Sequence, residues 1–212
     1  MGFVIAVDGP AASGKGTLAA ALARHFGLPF LDTGLLYRAV GVLTEEAGHD
    51  LDNVEAAAEI AANLDALAID DPRFRTRAAS EAASRVAVHA PVREALLDLQ
   101  RRFAAQEPGA VLDGRDIGTV IAPQAQAKIF VTAAPEVRAM RRWKQLLAES
   151  QTLSFEEVLE DIRRRDERDS GRAAAPLAIA GDAALLDTSE MSIDAAFREA
   201  CRLVETARSR QG

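Results

Sequence analysis

A run of small residues near the start of the chain has the spacing of a phosphate-binding loop: Gly9-Pro10-Ala11-Ala12-Ser13-Gly14-Lys15-Gly16-Thr17. Its glycines let backbone N–H groups turn inward, and a helix expected to follow adds the positive end of its dipole. Lys15 can reach the β- and γ-phosphates of a nucleoside triphosphate, and Thr17 can meet Mg²⁺ or its water shell. Gly16 separates Lys15 from the hydroxyl residue that usually follows directly. An apolar run before the loop argues against a chance glycine-rich turn.

Arginines mark where a second anion would sit. Arg38 lies one helical turn past a short apolar run, and Arg115 follows another in Asp113-Gly114-Arg115-Asp116. Paired N–H groups of a guanidinium suit phosphate geometry better than the ammonium of lysine. An acceptor that is itself a phosphate is already ionised, so the site needs no general base.

The densest arginine cluster comes late in the chain: Arg163, Arg164, Arg165, Arg168 and Arg172, around Asp166, Glu167 and Asp169. One interpretation is a solvated helix with internal ion pairs. Ser154-Phe155-Glu156-Glu157 has capping-box spacing and should open the helix that leads into this cluster. Because Ser170-Gly171 should end the helix inside the cluster, we favour a lid that closes over phosphates. Asp113 is a candidate for ordering magnesium-bound water; the alternative is a strand-end aspartate that caps the next turn.

Apolar runs alternate with helical patterns along the chain, which predicts an α/β fold. The expected strands are 3–8, 30–32, 110–113, 128–131 and 184–187. They predict a five-stranded parallel sheet of the P-loop type, with helices on both faces. Ligands gather at the carboxyl ends of such strands, where Asp8-Gly9, Asp32-Thr33, Asp113-Gly114, Thr132 and Asp187-Thr188 stand.

The stretch 48–108 differs from its surroundings because it is richer in alanine and charge. Helices are expected over Val54–Leu67, Ala78–Val88 and Val92–Phe103, with irregular or strand structure only at Ala68–Asp71 and Phe74. We therefore predict a core formed by 1–47 and 109–212, an inserted subdomain at 48–108, and a lid at about 150–175.

Composition narrows the function. The net charge of −7 argues against a nucleic-acid partner. The single cysteine, Cys201, suits a reducing compartment and should be buried on a helix face with Ile193, Phe197 and Val204. No stretch has the length and apolarity of a membrane span, so we expect a cytoplasmic protein. His25, His49 and His89 lack metal-ligand spacing and receive no chemical role.

With these residues collected, the chain resembles the nucleoside monophosphate kinases, and among them the bacterial cytidylate kinase family. The resemblance runs nearly end to end. It is carried by Asp8-Gly9-Pro10 through Thr17, Leu31-Asp32-Thr33-Gly34 with Tyr37-Arg38, Pro91-Val92-Arg93-Glu94-Ala95-Leu96-Leu97, Asp113 through Thr119, and Arg165-Asp166 through Asp169 to Arg172-Ala173. The displaced Thr17 is usual in this family.

The resemblance implies transfer of the γ-phosphate of ATP, with Mg²⁺, to CMP or dCMP. By similarity, Ser84, Arg93 and Asp116 would read the cytosine edge. Thr33, Arg38 and Arg115 would lie around the acceptor phosphate, Arg165 and Asp169 near the sugar, and Arg172 over the phosphates. Lys15, Arg115, Arg165 and Arg172 would be the catalytic residues. Family members are commonly monomers.

Two features depart from the family pattern. The inserted region normally carries a small antiparallel sheet, for which Leu67–Arg77 holds little strand pattern, and Thr33 stands where serine is common. Two other classes of function stay open at this point: a kinase of another small acceptor such as UMP, AMP or shikimate, and a nucleotide-binding module without turnover. A GTPase switch is disfavoured because no Asn-Lys-x-Asp segment occurs.

Overall fold

A computed structural model describes residues 2–65, 69–148 and 151–210. Strands and helices alternate at both ends of the chain, as the sequence predicts. The strands are β1 (Phe3–Asp8), β2 (Phe30–Asp32), β3 (Gly109–Gly114), β4 (Ala127–Thr132) and β5 (Ala184–Asp187). The α-helices are α1 (Lys15–Phe26), α2 (Thr33–Glu46), α3 (Val54–Ala62), α4 (Arg77–Val86), α5 (Ala90–Ala105), α6 (Pro135–Ala148), α7 (Phe155–Gly171) and α8 (Ile193–Ser209).

The sheet has five parallel strands in the order β2-β3-β1-β4-β5. This confirms the predicted five-stranded parallel sheet. β1 is central, with Asp8 beside Gly114 of β3 on one side and Phe130 of β4 on the other. The chain leaves β1 toward β2 and β3 first and reaches β4 and β5 later, so β1 is the topological switch point, where ligands of such sheets bind.

Helices cover both faces of the sheet, again as predicted. Val4 and Ala6 of β1 pack into a core with α2 and α5, whereas Ile5 and Val7 pack against α1 and α8. Successive strand residues point to opposite faces, so a strand that is apolar throughout packs against helices on both sides of the sheet. The layers hold the carboxyl ends of the strands, and the loops that follow them, at one edge.

Within its described residues, the region 48–108 consists of helices joined by turns and irregular segments, with no strand. It contains α3, α4 and α5 and a 3₁₀ turn at Pro72–Arg75, which includes Phe74. The helix predicted for Val54–Leu67 ends at Ala62, and both Leu67 and Ala68 lie outside the described residues. At Gly41 a Cβ would lie 2.7 Å from the Cβ of Ala82, so glycine permits the close packing of α2 against α4. The boundaries of the subdomain stay a prediction.

The C-terminal helix confirms one prediction and corrects another. Cys201 is buried, as expected, in the core between α8 and the sheet. Ile193 is 76% exposed, so its predicted place on the buried face is wrong. The buried residues of α8 are Ala196, Ala200, Cys201 and Val204, so the buried face begins one turn after Ile193.

The arginine-rich helix α7 begins with the predicted capping box at Ser154 and ends at Gly171 inside the arginine cluster. Arg163 is exposed and pairs with Glu136 of α6, so this arginine has the solvated role that was the alternative interpretation. Across the described ranges, no helix combines the length and apolarity needed to cross a membrane.

Candidate active site

One cleft of about 1570 Å³ runs across the carboxyl edge of the sheet. Its walls include the loop before α1 and parts of α2, α4, α5 and α7. Pockets for one small ligand usually measure about 300–1000 Å³, so this cleft has room for two such ligands. The phosphate loop lies at one end, and a buried Arg–Asp pair lies at the other.

The phosphate loop is shaped by the edge of the sheet. Gly9 has φ 150°, and a Cβ there would lie 2.0 Å from the carbonyl oxygen of Val131. Gly14, at φ 87°, precedes α1, whose first residue is Lys15. The Ser13 hydroxyl is buried and has no hydrogen-bond partner within the described part of the chain. The loop therefore wraps the N-terminus of a twelve-residue helix, where backbone N–H groups favour an anion.

Lys15 and Asp113 meet behind this loop, with Lys15 Nζ 3.6 Å from Asp113 Oδ1. Burial, reinforced by the charge of Arg115 and opposed by Asp113, lowers the pKa of Lys15 to about 8. Burial likewise raises the pKa of Asp113 to about 6 against the pull of Lys15. A Cβ at Gly16 would lie 2.9 Å from Asp113 Oδ2, so glycine between Lys15 and Thr17 lets this carboxylate approach the helix.

The opposite end of the cleft holds a buried ion pair in which Arg93 donates to Asp116. The Arg93 guanidinium stands over the ring of Tyr37, 5.5 Å from its centroid. Although burial opposes ionisation, the neighbouring Tyr37 and Asp116 raise the pKa of Arg93. Ser84 lines the same cleft, and its hydroxyl is buried and has no partner among the described residues. The donor, acceptor and free hydroxyl form a polar recognition surface.

Between the two ends, Asp169 gathers three arginines. Arg115 Nε donates to Asp169 Oδ2 at 2.7 Å, and Arg172 NH2 donates to Oδ1 at 3.1 Å. Arg165 Nε lies 4.0 Å from the same carboxylate. Burial alone would raise the pKa of Asp169, but the three guanidinium groups outweigh it and lower the pKa to about 2. One carboxylate therefore leaves a net positive charge in mid-cleft.

Arg38 and Thr33 border the same space. No described residue lies within ion-pair distance of the half-buried Arg38 guanidinium, and burial lowers its pKa while Asp32 opposes. The Thr33 hydroxyl is buried and donates to the backbone oxygen of Asp113 at 2.8 Å. Arg38 is thus available to an incoming anion, whereas Thr33 also braces the end of β3.

Helices α4 and α7 touch across the mouth of the cleft through polar side chains. Arg77 pairs with Asp161, Arg165 NH1 donates to the Ser80 hydroxyl at 2.7 Å, and Arg168 NH1 lies 2.8 Å from Glu81 Oε1. Contacts of this kind hold two elements together without an apolar interface, so their separation exposes little apolar surface.

Every residue singled out from the sequence for the phosphate loop, the metal or the acceptor, except Gly9 and Pro10, borders this one cleft. A family model described as cytidylate kinase matches residues 5–206. The chain belongs to the cytidylate kinase family.

Relatives in this family match over nearly the whole chain. The cytidylate kinase of Caulobacter sp. (strain K31) is 63% identical over 212 residues, which cover 100% of this chain and 98% of the relative. That of Xanthobacter autotrophicus is 60% identical over 98% of this chain and 99% of the relative. That of Brucella suis biovar 1 is 54% identical over 97% and 94%.

Among solved structures, a shikimate kinase from Bacteroides thetaiotaomicron superposes with a TM-score of 0.53 at 16% identity, covering 97% of this chain and 98% of that one. An uncharacterised protein from Eubacterium ventriosum gives a TM-score of 0.54 at 14% identity, covering 96% and 99%. These two likenesses show the fold alone.

The structure adds polar residues that the sequence reasoning left without a role. Arg138 is buried and donates to the backbone oxygens of Ala133 and Ala11 and to the carboxylate of Asp166, so it ties the phosphate loop of this family member to α7. Arg141 donates to the carbonyl oxygen of Thr188 at 2.6 Å beside the same loop. The sequence did offer one indication of their role, since these two arginines lie about one helical turn apart soon after the end of a strand.

Asp8 is a further polar residue to which the sequence reasoning gave no specific role. Both carboxylate oxygens accept backbone hydrogen bonds, from Ile117 N at 2.8 Å and Gly118 N at 2.7 Å. Burial raises the pKa of Asp8 to about 6 although those two N–H groups oppose the shift.

Proposed function

We propose that this chain transfers the γ-phosphoryl group of ATP to CMP and dCMP, giving ADP and CDP or dCDP. The carrying observation is that one cleft has a phosphate loop at one end, the buried Arg93–Asp116 pair at the other, and arginines between them. The names of the related cytidylate kinases support the same acceptor. Two nucleotides bound from opposite ends would meet phosphate to phosphate.

The Arg93–Asp116 pair suits a cytosine base. Asp116 can accept from the exocyclic amino group of cytosine, and Arg93 can donate to the ring carbonyl and ring nitrogen. The free hydroxyl of Ser84 can add a third hydrogen bond at this edge. Uracil presents a carbonyl where Asp116 requires a donor, so a UMP complex would leave a buried carboxylate facing an oxygen.

The arginines suit the reaction itself. The bond from the γ-phosphorus to the β,γ-bridging oxygen breaks, and an oxygen of the acceptor phosphate forms the new bond to phosphorus. Arg38 and Arg115 would hold the acceptor phosphate, Arg165 and Arg172 would neutralise charge on the transferring group, and Lys15 would hold the donor. Asp169 and Arg165 would also border the acceptor sugar. Positioning and charge neutralisation account for most catalysis of this kind.

The donor site fits MgATP. Gly9 to Thr17 would surround the phosphates, and the unpartnered Ser13 hydroxyl and the backbone N–H groups at the start of α1 suit them. The buried Asp113 Oδ1 also lacks a hydrogen-bond partner within the described residues, which suits a carboxylate that orders metal-bound water, with Thr17 nearer the ion. When bound, magnesium neutralises phosphate charge and aligns the β- and γ-phosphates.

We further propose that 48–108 is the monophosphate-binding subdomain and that 150–175 is the lid. The polar contacts of Arg77, Ser80 and Glu81 with α7 support a mouth that opens by separating charged side chains. A cytoplasmic monomer fits a cleft built entirely within one chain and a lone buried thiol.

An acceptor panel tests the function. With saturating MgATP and a coupled assay for ADP, CMP and dCMP should both turn over, with kcat/KM at least about 100-fold above those for UMP, AMP and shikimate. ATP without an acceptor provides the background rate. Equal turnover of UMP would contradict the proposed base recognition, and ADP release independent of any acceptor would indicate an ATPase.

The lowered pKa of Lys15 predicts that kcat/KM for MgATP declines at a lower pH than an ordinary lysine would give. A lysine with a pKa lowered to about 8 is charged below that pH and loses its proton as the pH rises through it. Because kcat/KM reports groups of the free enzyme, kcat/KM for MgATP should fall with a midpoint near about 8. The residual activity of Lys15→Arg should stay level across that range, since guanidinium remains charged. A wild-type midpoint near 10.5, the ordinary lysine value, would contradict the prediction.

A further inference from the structure

Asp8 connects the donor and acceptor halves of the cleft. It is the last residue of β1, and Gly9, the first residue of the phosphate loop, follows it directly. The start of that loop packs closely on β4, because a Cβ at Gly9 would lie 2.0 Å from the carbonyl oxygen of Val131. Asp8 is buried, with 6% of its surface exposed.

The Asp8 carboxylate binds the turn that carries Asp116. Its two oxygens accept the N–H groups of Ile117 and Gly118, the two residues that follow Asp116 in sequence. The π-helical turn that starts there, Ile117–Ile121, is closed by N–H groups of Val120 and Ile121 donating to the Asp116 carbonyl oxygen. The peptide unit between Asp116 and Ile117 is thus held at both of its polar atoms, the carbonyl oxygen by the turn itself and the N–H by Asp8.

The space around this contact is closed. A Cβ at Gly118 would lie 3.3 Å from Asp8 Oδ2 and 3.2 Å from Lys128 Cδ. A side chain at residue 118 would therefore press on the Asp8 carboxylate and on Lys128, and glycine avoids this. Asp116 makes its ion pair with Arg93, so a shift of the turn would move Asp116 relative to its partner in the base-reading pair.

We propose that Asp8 is a positioning residue for acceptor selectivity: it fixes the Asp116 turn relative to the phosphate loop, so that the Asp116 carboxylate meets the cytosine amino group. The inference rests on the proposed function. Asp8 itself need not touch either nucleotide. Its two hydrogen bonds act on the backbone beside Asp116, and the effect reaches the substrate through that side chain.

The test is Asp8→Asn, measured with CMP and with UMP. Asparagine keeps the size, but its amide oxygen can accept only one of the two N–H groups while its NH₂ faces the other. We expect the ratio of kcat/KM for CMP to that for UMP to fall at least about tenfold, which corresponds to about 1.4 kcal/mol. KM for CMP should rise, whereas KM for ATP should change less than about twofold.

Gly118→Ala approaches the same contact from the other side, because the added methyl group presses on the Asp8 carboxylate. It should lower the CMP-to-UMP ratio in the same direction, and it decides the question if Asp8→Asn does not fold. Val204→Ala is the control, since it removes packing between α8 and the sheet, on the face away from α5 and the Asp116 turn. It should destabilise the protein and leave the ratio unchanged.

The outcomes separate the inference from the function. A wild-type protein without a preference for CMP overturns the proposed function. A wild type that prefers CMP, together with a folded Asp8→Asn or Gly118→Ala variant of unchanged ratio, keeps the function and overturns the role of Asp8. If Val204→Ala lowered the CMP-to-UMP ratio equally, the role of Asp8 would also be overturned, because a general loss of stability would then explain the effect.

Discussion

Lys15→Ala is expected to lower kcat for CMP phosphorylation by about 10³ or more while the protein stays folded. Lys15 is the buried cation at the base of the phosphate loop, and its ammonium lies beside Asp113. Removal takes away the charge that holds the β- and γ-phosphates and leaves Asp113 facing them. The measurement is the coupled assay at saturating nucleotides, with circular dichroism and urea unfolding as the check on folding.

Lys144→Ala is a matched control, since Lys144 is an exposed lysine of α6 outside the lining of the cleft. It should retain wild-type turnover. A folded Lys15→Ala variant with near-wild-type kcat would show that the loop does not hold the donor phosphates.

Asp116→Asn should change which base the enzyme accepts. The substitution keeps the volume but removes the charge opposite the buried Arg93, and its amide can donate to the carbonyl oxygen of uracil. We expect kcat/KM for CMP to fall about 100-fold and the CMP-to-UMP ratio to fall at least about tenfold. The measurement is a pair of steady-state titrations, one with each monophosphate.

Asp98→Asn serves as the control for this variant, because Asp98 is an exposed aspartate on α5, the helix that carries Arg93. It should leave both rate constants unchanged. If Asp116→Asn keeps the wild-type ratio, Asp116 does not read the base, and the selectivity must come from Arg93 and Ser84.

The role of Lys15 could be predicted from the residues alone, whereas the roles of Arg93 and Asp116 could not. The loop around Lys15 is continuous in sequence, so glycine spacing and an adjoining helix were enough to predict its chemistry. The roles of Arg93 and Asp116 entered through resemblance to the cytidylate kinase family. Their ion pair joins positions 23 residues apart, a contact that no local spacing indicates.

The lid cluster shows the same limit within one helix. The capping box and the helix end at Gly171 were predicted from local residues, because caps depend on neighbours in sequence. The family resemblance, not the local spacing, singled out Arg165 and Arg172, which both line the cleft, whereas Arg163 pairs with Glu136 in solvent. Helical spacing places side chains around an axis, but the packing of that helix decides which side is the inside.

The sequence by itself determined the phosphate loop, the strand segments and the end of α7 at Gly171, since hydrophobic period, glycine positions and caps act over a few residues. Only the tertiary structure decided the strand order, the Asp8 contact with the Asp116 turn, and the approach of Asp113 to Gly16. Those features join segments separated by tens of residues. They depend on how the sheet and its helical layers pack together, which no local sequence pattern encodes.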